Sequence, residues 1–283
     1  MAATTTTLND LLPSIVAEAM FVANERSIMR GLVKNFSIPA SNGKTITVPR
    51  YPIATAASLT EGNEVSDSTV STDGVTLTVS TVAIRTLVTD LARASAASNV
   101  VADVGRLFGE AIARKIDTDL LALFGGFSVG VGGASTAMSA ALVAQAVARL
   151  RAAAVPGDAL ACVVNPYVAY DLKANLTNTF ANPNAGIIQN EAMATGYVGT
   201  LFGVPVFESA NIADTGTAGD YVGAVFHRDA LGLAMIGDIT IETQRRASYV
   251  GDDIVGSCHY GVGELYDAYG VKITADSSLV DPA

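Results

Sequence analysis

Two stretches of the chain alternate apolar and polar residues and predict a long antiparallel β-hairpin. The first, Lys44–Tyr51, places Ile46 and Val48 on one side and threonines on the other. The second, Val75–Val79, alternates in the same way and then changes phase into Val82, which indicates a bulge or bend. A two-stranded ribbon is only marginally stable in water. We therefore expect the hairpin to need a partner surface, and the best candidate is a second copy of the chain.

The connection between these two arms, residues 52–74, is polar and acidic. Serine, threonine and alanine are frequent in it, and it carries Glu61, Glu64, Asp67 and Asp73 without a single lysine or arginine. The hairpin is therefore expected to end in a segment of uniform negative charge, which is typical of an interaction segment rather than of a packed core.

The N-terminal region is predicted to form an arm that contains one amphipathic helix over residues 15–30. Arg26, Arg30 and Lys34 recur every four residues and would stack on one side if the helix continued to Lys34. Such a stripe is either a solvated helix face or a basic contact surface. The residues alone leave both interpretations open.

The clearest helix is predicted over residues 98–124. Its apolar residues recur at spacings of three and four and form one continuous stripe: Val101, Val104, Phe108, Ile112, Ile116, Leu120 and Leu123. At about 1.5 Å per residue, this helix is roughly 40 Å long and would act as a spine. The glycine- and serine-rich residues 125–135 are interpreted as a flexible link to a second helix over residues 138–154.

The second half of the chain mixes short strands with short helices, a pattern that indicates an α+β fold. A helix is predicted to begin at Pro166 and to end near Lys173. Strands are predicted at residues 160–164, 204–209, 221–226, 231–235, 239–243, 253–260 and 270–273.

The composition is unusually poor in charge. Charged residues make up 16% of the chain and apolar residues 50%, whereas about a quarter of an ordinary soluble domain is charged. Either other subunits cover much of the surface, or the chain is a well-buried enzyme rich in alanine and valine. The net charge of −10 and the lack of a basic patch argue against tight binding of nucleic acid. No apolar run is long enough for a membrane helix, and no secretory signal is expected.

Few residues are candidates for catalysis or metal binding. His227 and His259 are the only histidines, and neither has a ligand-type residue at zinc-like spacing apart from the adjacent Cys258. Asp252 and Asp253 are interpreted as turn residues rather than as an acid–base pair. We therefore predict that the chain is not an enzyme and that it has no catalytic residue, metal site or cofactor.

The order of these elements resembles that of the major capsid proteins of tailed bacteriophages, a fold shared with encapsulin shells. The local similarity is carried by five segments, residues 196–206, 226–232, 237–243, 260–263 and 269–272. They are similar to the loop-into-strand, turn, return-strand and closing segments of that family. The resemblance implies an α+β capsid fold with an N-terminal arm, an extended β-hairpin loop, a peripheral domain with a long spine helix, and an axial domain.

The resemblance also divides the chain into segments. These are an N-terminal arm (1–40), an extended loop (41–95), a peripheral domain with the spine helix (96–156), an axial domain (157–236), and return strands of the peripheral domain with the C-terminus (237–283). If the extended loop reaches an adjacent subunit, its acidic residues could meet the basic arm stripe. The proposed inter-subunit contact residues are Arg26, Arg30, Lys34, Glu61 and Glu64.

The function that the resemblance implies is structural. Copies of the chain would assemble into pentamers and hexamers of an icosahedral virion capsid around double-stranded DNA that they do not bind specifically, with assembly in the host cytoplasm. Portal, scaffolding and cement proteins are the further expected partners, and no membrane is expected to take part. The alternatives are an encapsulin-type nanocompartment shell and, from another class, a small-molecule enzyme.

Overall fold

The computed structural model describes residues 27–39, 43–50, 56, 58, 62, 64, 73–95, 100–179, 199–215 and 219–279. Within them, the helices are α1 (Met29–Leu32), α2 (Asp90–Ser95), α3 (Val100–Ala122), α4 (Ala140–Ala152) and α5 (Pro166–Thr179). The strands are β1 (Lys34–Ser37), β2 (Thr45–Arg50), β3 (Asp73–Thr78), β4 (Ser80–Thr89), β5 (Gly130–Ala137), β6 (Leu160–Val164), β7 (Thr200–Leu201), β8 (Val204–Glu208), β9 (Asp220–His227), β10 (Leu231–Met235), β11 (Thr240–Arg246), β12 (Gly251–Glu264) and β13 (Gly270–Asp276). None of the helices described is both long and apolar enough to cross a membrane.

Helix α3 is the spine that its apolar stripe predicts. It ends at Ala122, and a 3₁₀ turn over Leu123–Gly126 follows it. Of the side chains at the predicted spacing that the structure describes, Leu123 is partly buried, and the others are buried: Val104, Phe108, Ile112, Ile116 and Leu120. Each contributes about 1.5–3 kcal/mol relative to an exposed position. This face contacts β4 and β12, so the helix lies on a sheet.

That sheet has five strands in the order β1-β10-β12-β11, with β4 on the other side of β12. Strand β4 pairs antiparallel with β12 along ten positions, from Ser80↔Tyr260 to Thr89↔Gly251. The change of phase predicted after Val79 is therefore a change of partner. The chain leaves the hairpin β2–β3 and enters the sheet under the spine helix.

The second sheet has six strands in the order β5-β13-β9-β6-β8-β7. The prediction that residues 125–135 form a flexible link is wrong, because β5 is a strand that runs parallel to β13. The glycines of this strand have no side chain, so they give no apolar alternation from which a strand could be predicted. The same lack of a side chain allows the close pairing with β13. Gly132 has φ of +78°, and an added Cβ would lie 2.2 Å from the carbonyl oxygen of Thr274.

One main core cluster joins both sheets and the helices, and the sheets do not follow the predicted segments. Strand β10, predicted within the axial segment, pairs with β1 of the arm and with β12. Strand β13, predicted among the return strands of the peripheral domain, pairs with β9 and β5 in the six-stranded sheet. The segment division stays a proposal, and the strands cross two of its boundaries.

The N-terminal helix differs from its prediction where the structure describes it. Helix α1 ends at Leu32, and Lys34 already begins strand β1. Arg30 and Lys34 therefore do not stack on one helix face as the spacing suggested. Because β1 pairs with the interior strand β10, the end of the arm is tied into the five-stranded sheet.

Candidate assembly surfaces

The hairpin β2–β3 packs the apolar side of its base on its own subunit. The strands pair from Thr45↔Thr78 to Arg50↔Asp73. Leu77 is buried in a small cluster with Ile38, Val79, Ala234 and Leu265, and the partly buried Ile46, Val48 and Val75 pack against it. The expectation that the hairpin has nothing of its own chain to fold against is therefore wrong at its base.

The hairpin comes very close to β12 where it leaves the sheet. An added Cβ at Gly261 would lie 2.3 Å from the carbonyl oxygen of Thr78, so any side chain at this position would push the hairpin away. The amide of Val79 donates a hydrogen bond to the carbonyl oxygen of Lys44, 2.8 Å away, and closes the base of the ribbon. Backbone geometry thus sets the direction in which the hairpin departs.

Arg50 anchors the far end of the paired strands to the body. Its Nη1 donates a hydrogen bond to the carbonyl oxygen of Leu265 at 3.1 Å, and its Nη2 pairs with the carboxylate of Asp73. Its guanidinium group also lies 6.0 Å from the centre of the Tyr266 ring, within the range of a cation–π contact. The hydrogen bond from Arg50 holds the pKa of Asp73 below its usual value.

Two carboxyl groups lie beside this anchor. Burial, and then the neighbouring carboxyl of Asp267, raise the pKa of Glu264. Burial also raises the pKa of Asp267, but hydrogen bonds from the hydroxyl and amide of Ser128 outweigh it and lower that pKa. The pKa values of Glu264 and Asp267 are therefore shifted in opposite directions next to the surface on which the hairpin rests.

The acidic connection of the hairpin is exposed wherever the structure describes it. Ala56, Ser58, Gly62 and Glu64 all face solvent in the single subunit. Glu61 lies outside the described residues. Glu64 is thus placed where an adjacent subunit could reach it.

The basic residues of the arm are placed less favourably than predicted. Arg26 lies outside the described residues. Arg30 lies near Cys258. Burial raises the pKa of the Cys258 thiol, and the charge of Arg30 opposes that rise. Lys34 pairs with Asp229 of its own chain at 3.0 Å. The structure does not bring Arg30 and Lys34 together as a stripe.

Asp117 of the spine helix fixes the start of the described arm. Its buried carboxylate accepts hydrogen bonds from the Ser27 hydroxyl at 2.7 Å and from the Ile28 amide at 3.1 Å. Burial raises the pKa of Asp117, and these hydrogen bonds oppose that rise. The arm therefore leaves the body from a defined point on α3.

Asp252 and Asp253 are not turn residues, which corrects their interpretation from the sequence. Both lie in β12 and are buried. Adjacent residues of a strand point to opposite faces, so each carboxylate has its own partners. Asp252 pairs with Arg93 at 2.8 Å, and Asp253 pairs with Arg85 at 2.8 Å.

Two further arginines complete this network. Arg246 pairs with Asp253 at 2.9 Å, and Arg245 reaches Asp252 at 3.5 Å. Arg245 also holds Asp90 through two hydrogen bonds of 2.6 and 2.7 Å, which lower the pKa of Asp90. Buried ion pairs owe their stability to complete pairing, because a lone buried charge is costly.

A signal for this network was present in the sequence. Arg245 and Arg246 precede a short turn, and Asp252 and Asp253 follow it, so an antiparallel pairing places opposite charges near each other. Apolar periodicity carries no information about charges that pair across a turn, so that pattern alone places the Asp252–Asp253 doublet in the turn itself.

The remaining candidate groups are the cysteines and the histidines. No cluster of three or more His, Cys, Asp or Glu side chains there is arranged to hold a metal ion. Burial raises the pKa of Cys162 to about 12, so its thiol is a packed apolar group. His259 forms a 2.9 Å hydrogen bond with Thr81 of the neighbouring strand β4.

The chain has the fold of several solved phage structures, among them two that are described as capsids. A structure of Mycobacterium phage Che8 covers 88% of this chain and 91% of its own, with a TM-score of 0.70 and 22% identity. The capsid of cyanophage P-SCSP1u covers 89% of both chains, with a TM-score of 0.67 and 21% identity. The capsid of Ralstonia phage GP4 covers 89% of both chains, with a TM-score of 0.69 and 10% identity. At these identities the similarity shows the fold alone.

The sequence comparison supplies the family. No protein with a curated description matches the chain significantly. The pattern of the family described as phage capsid protein matches residues 72–273, which run from the second hairpin strand to the closing strand β13. The matched part is more than half of the chain and includes the spine helix and most of both sheets. The chain therefore belongs to the phage capsid protein family and is a structural subunit of the virion capsid.

Proposed function

We propose that copies of this capsid subunit form the hexamers and pentamers of an icosahedral shell around double-stranded DNA, and that the extended hairpin of each copy lies across its neighbour. The single observation that carries this proposal is the division of the hairpin. Its base packs on its own body, while the described residues of its acidic connection are exposed. A long exposed excursion on a rigid base is suited to completing another subunit's surface.

Apolar burial supplies most of the contact energy in this proposal. Each exposed ion pair between subunits contributes at most about 1 kcal/mol, so charges select the register more than they hold the shell together. Repeated contacts between different surfaces of identical chains close into rings. Small changes of angle at those contacts then allow one chain to serve in rings of five and of six.

The charge of the subunit suits a container for DNA. A chain with a net charge of −10 repels a polyanion weakly and gives it no tight binding site. We propose that the DNA is enclosed without specific binding and that the subunit catalyses no reaction. Portal, scaffolding and cement proteins are the proposed partners besides the subunit itself, and the proposed place of assembly is the host cytoplasm.

Deleting residues 55–72 tests the proposal. The expected product is a folded subunit, because the described residues outside this segment already form two apolar clusters of their own, but closed shells should be lost. Electron microscopy and size-exclusion chromatography measure assembly, and circular dichroism reports folding. A variant with a Gly-Ser linker of the same length separates the need for length from the need for the native side chains.

Normal shells from both variants would contradict a role of the loop in assembly. A wild-type protein that stays a single particle under all assembly conditions would contradict the shell itself. The two failures are therefore distinguishable.

A further inference from the structure

Two adjoining turns of the body hold both of the segments that leave it, the arm and the hairpin β2–β3. We define them together as the junction: residues 227–230, which include the 3₁₀ turn Arg228–Ala230, and residues 265–269. We propose that the aromatic rings of the junction couple the two segments, so that releasing one loosens the other. In a shell, a neighbour that lifts the hairpin would also free the arm. That consequence rests on the proposed function, whereas the coupling itself belongs to the single subunit.

The junction holds the far end of the paired hairpin strands through Arg50. The Nη1 of this arginine donates a 3.1 Å hydrogen bond to the Leu265 carbonyl oxygen, and its guanidinium carbon lies 6.0 Å from the centre of the Tyr266 ring. The attraction between a cation and an aromatic face positions the ring as well as the cation. Removing the Arg50 side chain therefore takes away a contact that helps to position Tyr266.

The junction also holds the start of the arm strand β1. The Nζ of Lys34 pairs with the Asp229 carboxylate at 3.0 Å, and the Nε of Arg228 donates a 3.4 Å hydrogen bond to the Val33 carbonyl oxygen. The Lys34 side chain is 45% exposed, so this ion pair is weak and depends on where the turn places Asp229. A small displacement of the turn is therefore enough to loosen β1.

A line of aromatic rings connects these two attachments. The Tyr266 ring stacks on the Tyr269 ring, with their centres 5.0 Å apart, and the Tyr269 ring meets the His227 ring edge-on at 5.6 Å. The Nδ1 of His227 accepts a 3.2 Å hydrogen bond from the Asp229 amide. Because His227 is buried and packed interiors transmit displacements, a shift of the tyrosines reaches the Asp229 backbone.

The backbone keeps the two turns of the junction together. The Ala230 carbonyl oxygen accepts hydrogen bonds from the Leu265 amide at 2.7 Å and from the Tyr266 amide at 3.2 Å. Ala230 and Leu265 are both buried, and leaving buried backbone groups without partners is costly, so the turns stay joined. Movement within the junction therefore falls to its partly buried rings.

A direct apolar contact offers an alternative route between the arm and the hairpin. Ile38, just after β1, is buried in the same small cluster as Leu77 of the hairpin. Apolar packing is not directional and tolerates small shifts, whereas the line of rings ends at both sides in a contact with one of the two segments. A displacement that passes through the cluster does not need the Tyr269 ring, so the two routes predict different effects of removing it.

Hydrogen exchange in the unassembled subunit tests the proposal. Arg50→Ala should speed the exchange of amides in residues 33–38 by about fivefold or more, the lower end of typical coupling between two sites. Lys34→Ala should speed exchange in residues 45–50 and 73–78 by a similar factor, because such coupling is reciprocal. Mass spectrometry of peptic fragments measures both changes, and circular dichroism confirms that each variant is folded.

Matched controls remove similar contacts elsewhere in the chain. Arg149→Ala removes a guanidinium group whose Nη1 donates a 2.6 Å hydrogen bond to the Gly130 carbonyl oxygen. Lys173→Ala removes a lysine that pairs with Glu208 at 2.6 Å. Neither control should change exchange in the arm or in the hairpin, because both contacts involve strands of the six-stranded sheet.

The variant Tyr269→Leu separates the two routes, because it removes a ring from the line and keeps an apolar side chain. In this background Arg50→Ala should no longer speed exchange in residues 33–38. His227→Leu breaks the same line at its other end, should give the same result, and takes the place of Tyr269→Leu where that variant does not fold.

An unchanged exchange rate in the arm of Arg50→Ala would overturn the proposal. An equal effect of Arg50→Ala with and without the Tyr269 ring would also overturn it and would assign the coupling to the cluster around Ile38. A failure of the wild type to form particles would leave these exchange results in place and count against the proposed function alone.

Discussion

The main core and the hairpin bury apolar surface in different ways. Every residue of β6 is buried, and β9 is buried at all but one position, so these strands are covered on both faces. In β2 no residue is fully buried, and in β3 only Leu77 is. The central strands of the six-stranded sheet are therefore covered within one subunit, whereas the hairpin buries only one of its faces there.

This difference separates folding from assembly. A core covered on both faces does not depend on a neighbour, so the body can fold before any shell exists. The hairpin is tied at its base by Leu77 and at its far end by Arg50, and it presents its other face to the surroundings. The same chain thus holds an independent body and a segment that is left for a partner.

The largest expected effect comes from matched leucine substitutions in the two regions. Leu172→Ala removes a buried side chain of the main core and should lower the free energy of unfolding by about 2–5 kcal/mol. Leu77→Ala should lower the global value less, because its small cluster can open locally. Urea unfolding of the unassembled subunit measures the first effect, and limited proteolysis of the hairpin measures the second.

Equal losses of global stability from these two substitutions would contradict the comparison. In that case the hairpin would be part of the folding core and not a docked segment. Faster proteolysis in residues 51–72 with nearly unchanged global unfolding would support the distinction.

The features that the sequence predicted are those encoded by apolar periodicity. The stripe from Val104 to Leu120 predicts the spine helix, and the alternation of Ile46 and Val48 predicts the hairpin, because each burial pattern is local. Local patterns do not predict strand β5, because its glycines are explained only by a close parallel pairing with the distant strand β13. The sequence leaves open whether the N-terminal helix continues to Lys34, because the pairing of β1 with β10 joins residues that are far apart in sequence.

The candidate surfaces were less predictable than the fold. The role of Asp253 depends on Arg85, which lies on a strand 168 positions away, and exposure at Leu91 depends on what the rest of the chain leaves uncovered. The acidic connection was visible as composition, but its base is fixed by Arg50, whose partner Leu265 is distant in sequence. Contacts of this kind are properties of the tertiary structure.

A second test compares how arginines hold the two regions. Removing Arg85 and Arg246 together, each to alanine, leaves the buried carboxylate of Asp253 without these two ion pairs and should cost about 1–3 kcal/mol of unfolding free energy. Arg50→Ala leaves Asp73 in solvent and should cost much less. Adding Asp253→Asn to the first variant should restore part of the loss. The comparison would break if Arg50→Ala destabilised the subunit as much as the double substitution.

The smallest effect is a pH dependence at the surface where the hairpin rests. Burial and the neighbouring Asp267 raise the pKa of Glu264 in the folded subunit above its value in the unfolded chain. A group with a raised pKa stabilises the fold fully below its unfolded pKa and loses that contribution as pH rises through its folded pKa. The wild type should therefore lose stability relative to Glu264→Gln between acidic and neutral pH, because glutamine stays neutral. Urea unfolding of both proteins across this range measures the difference, and a pH-independent difference would show that Glu264 does not titrate beside the hairpin.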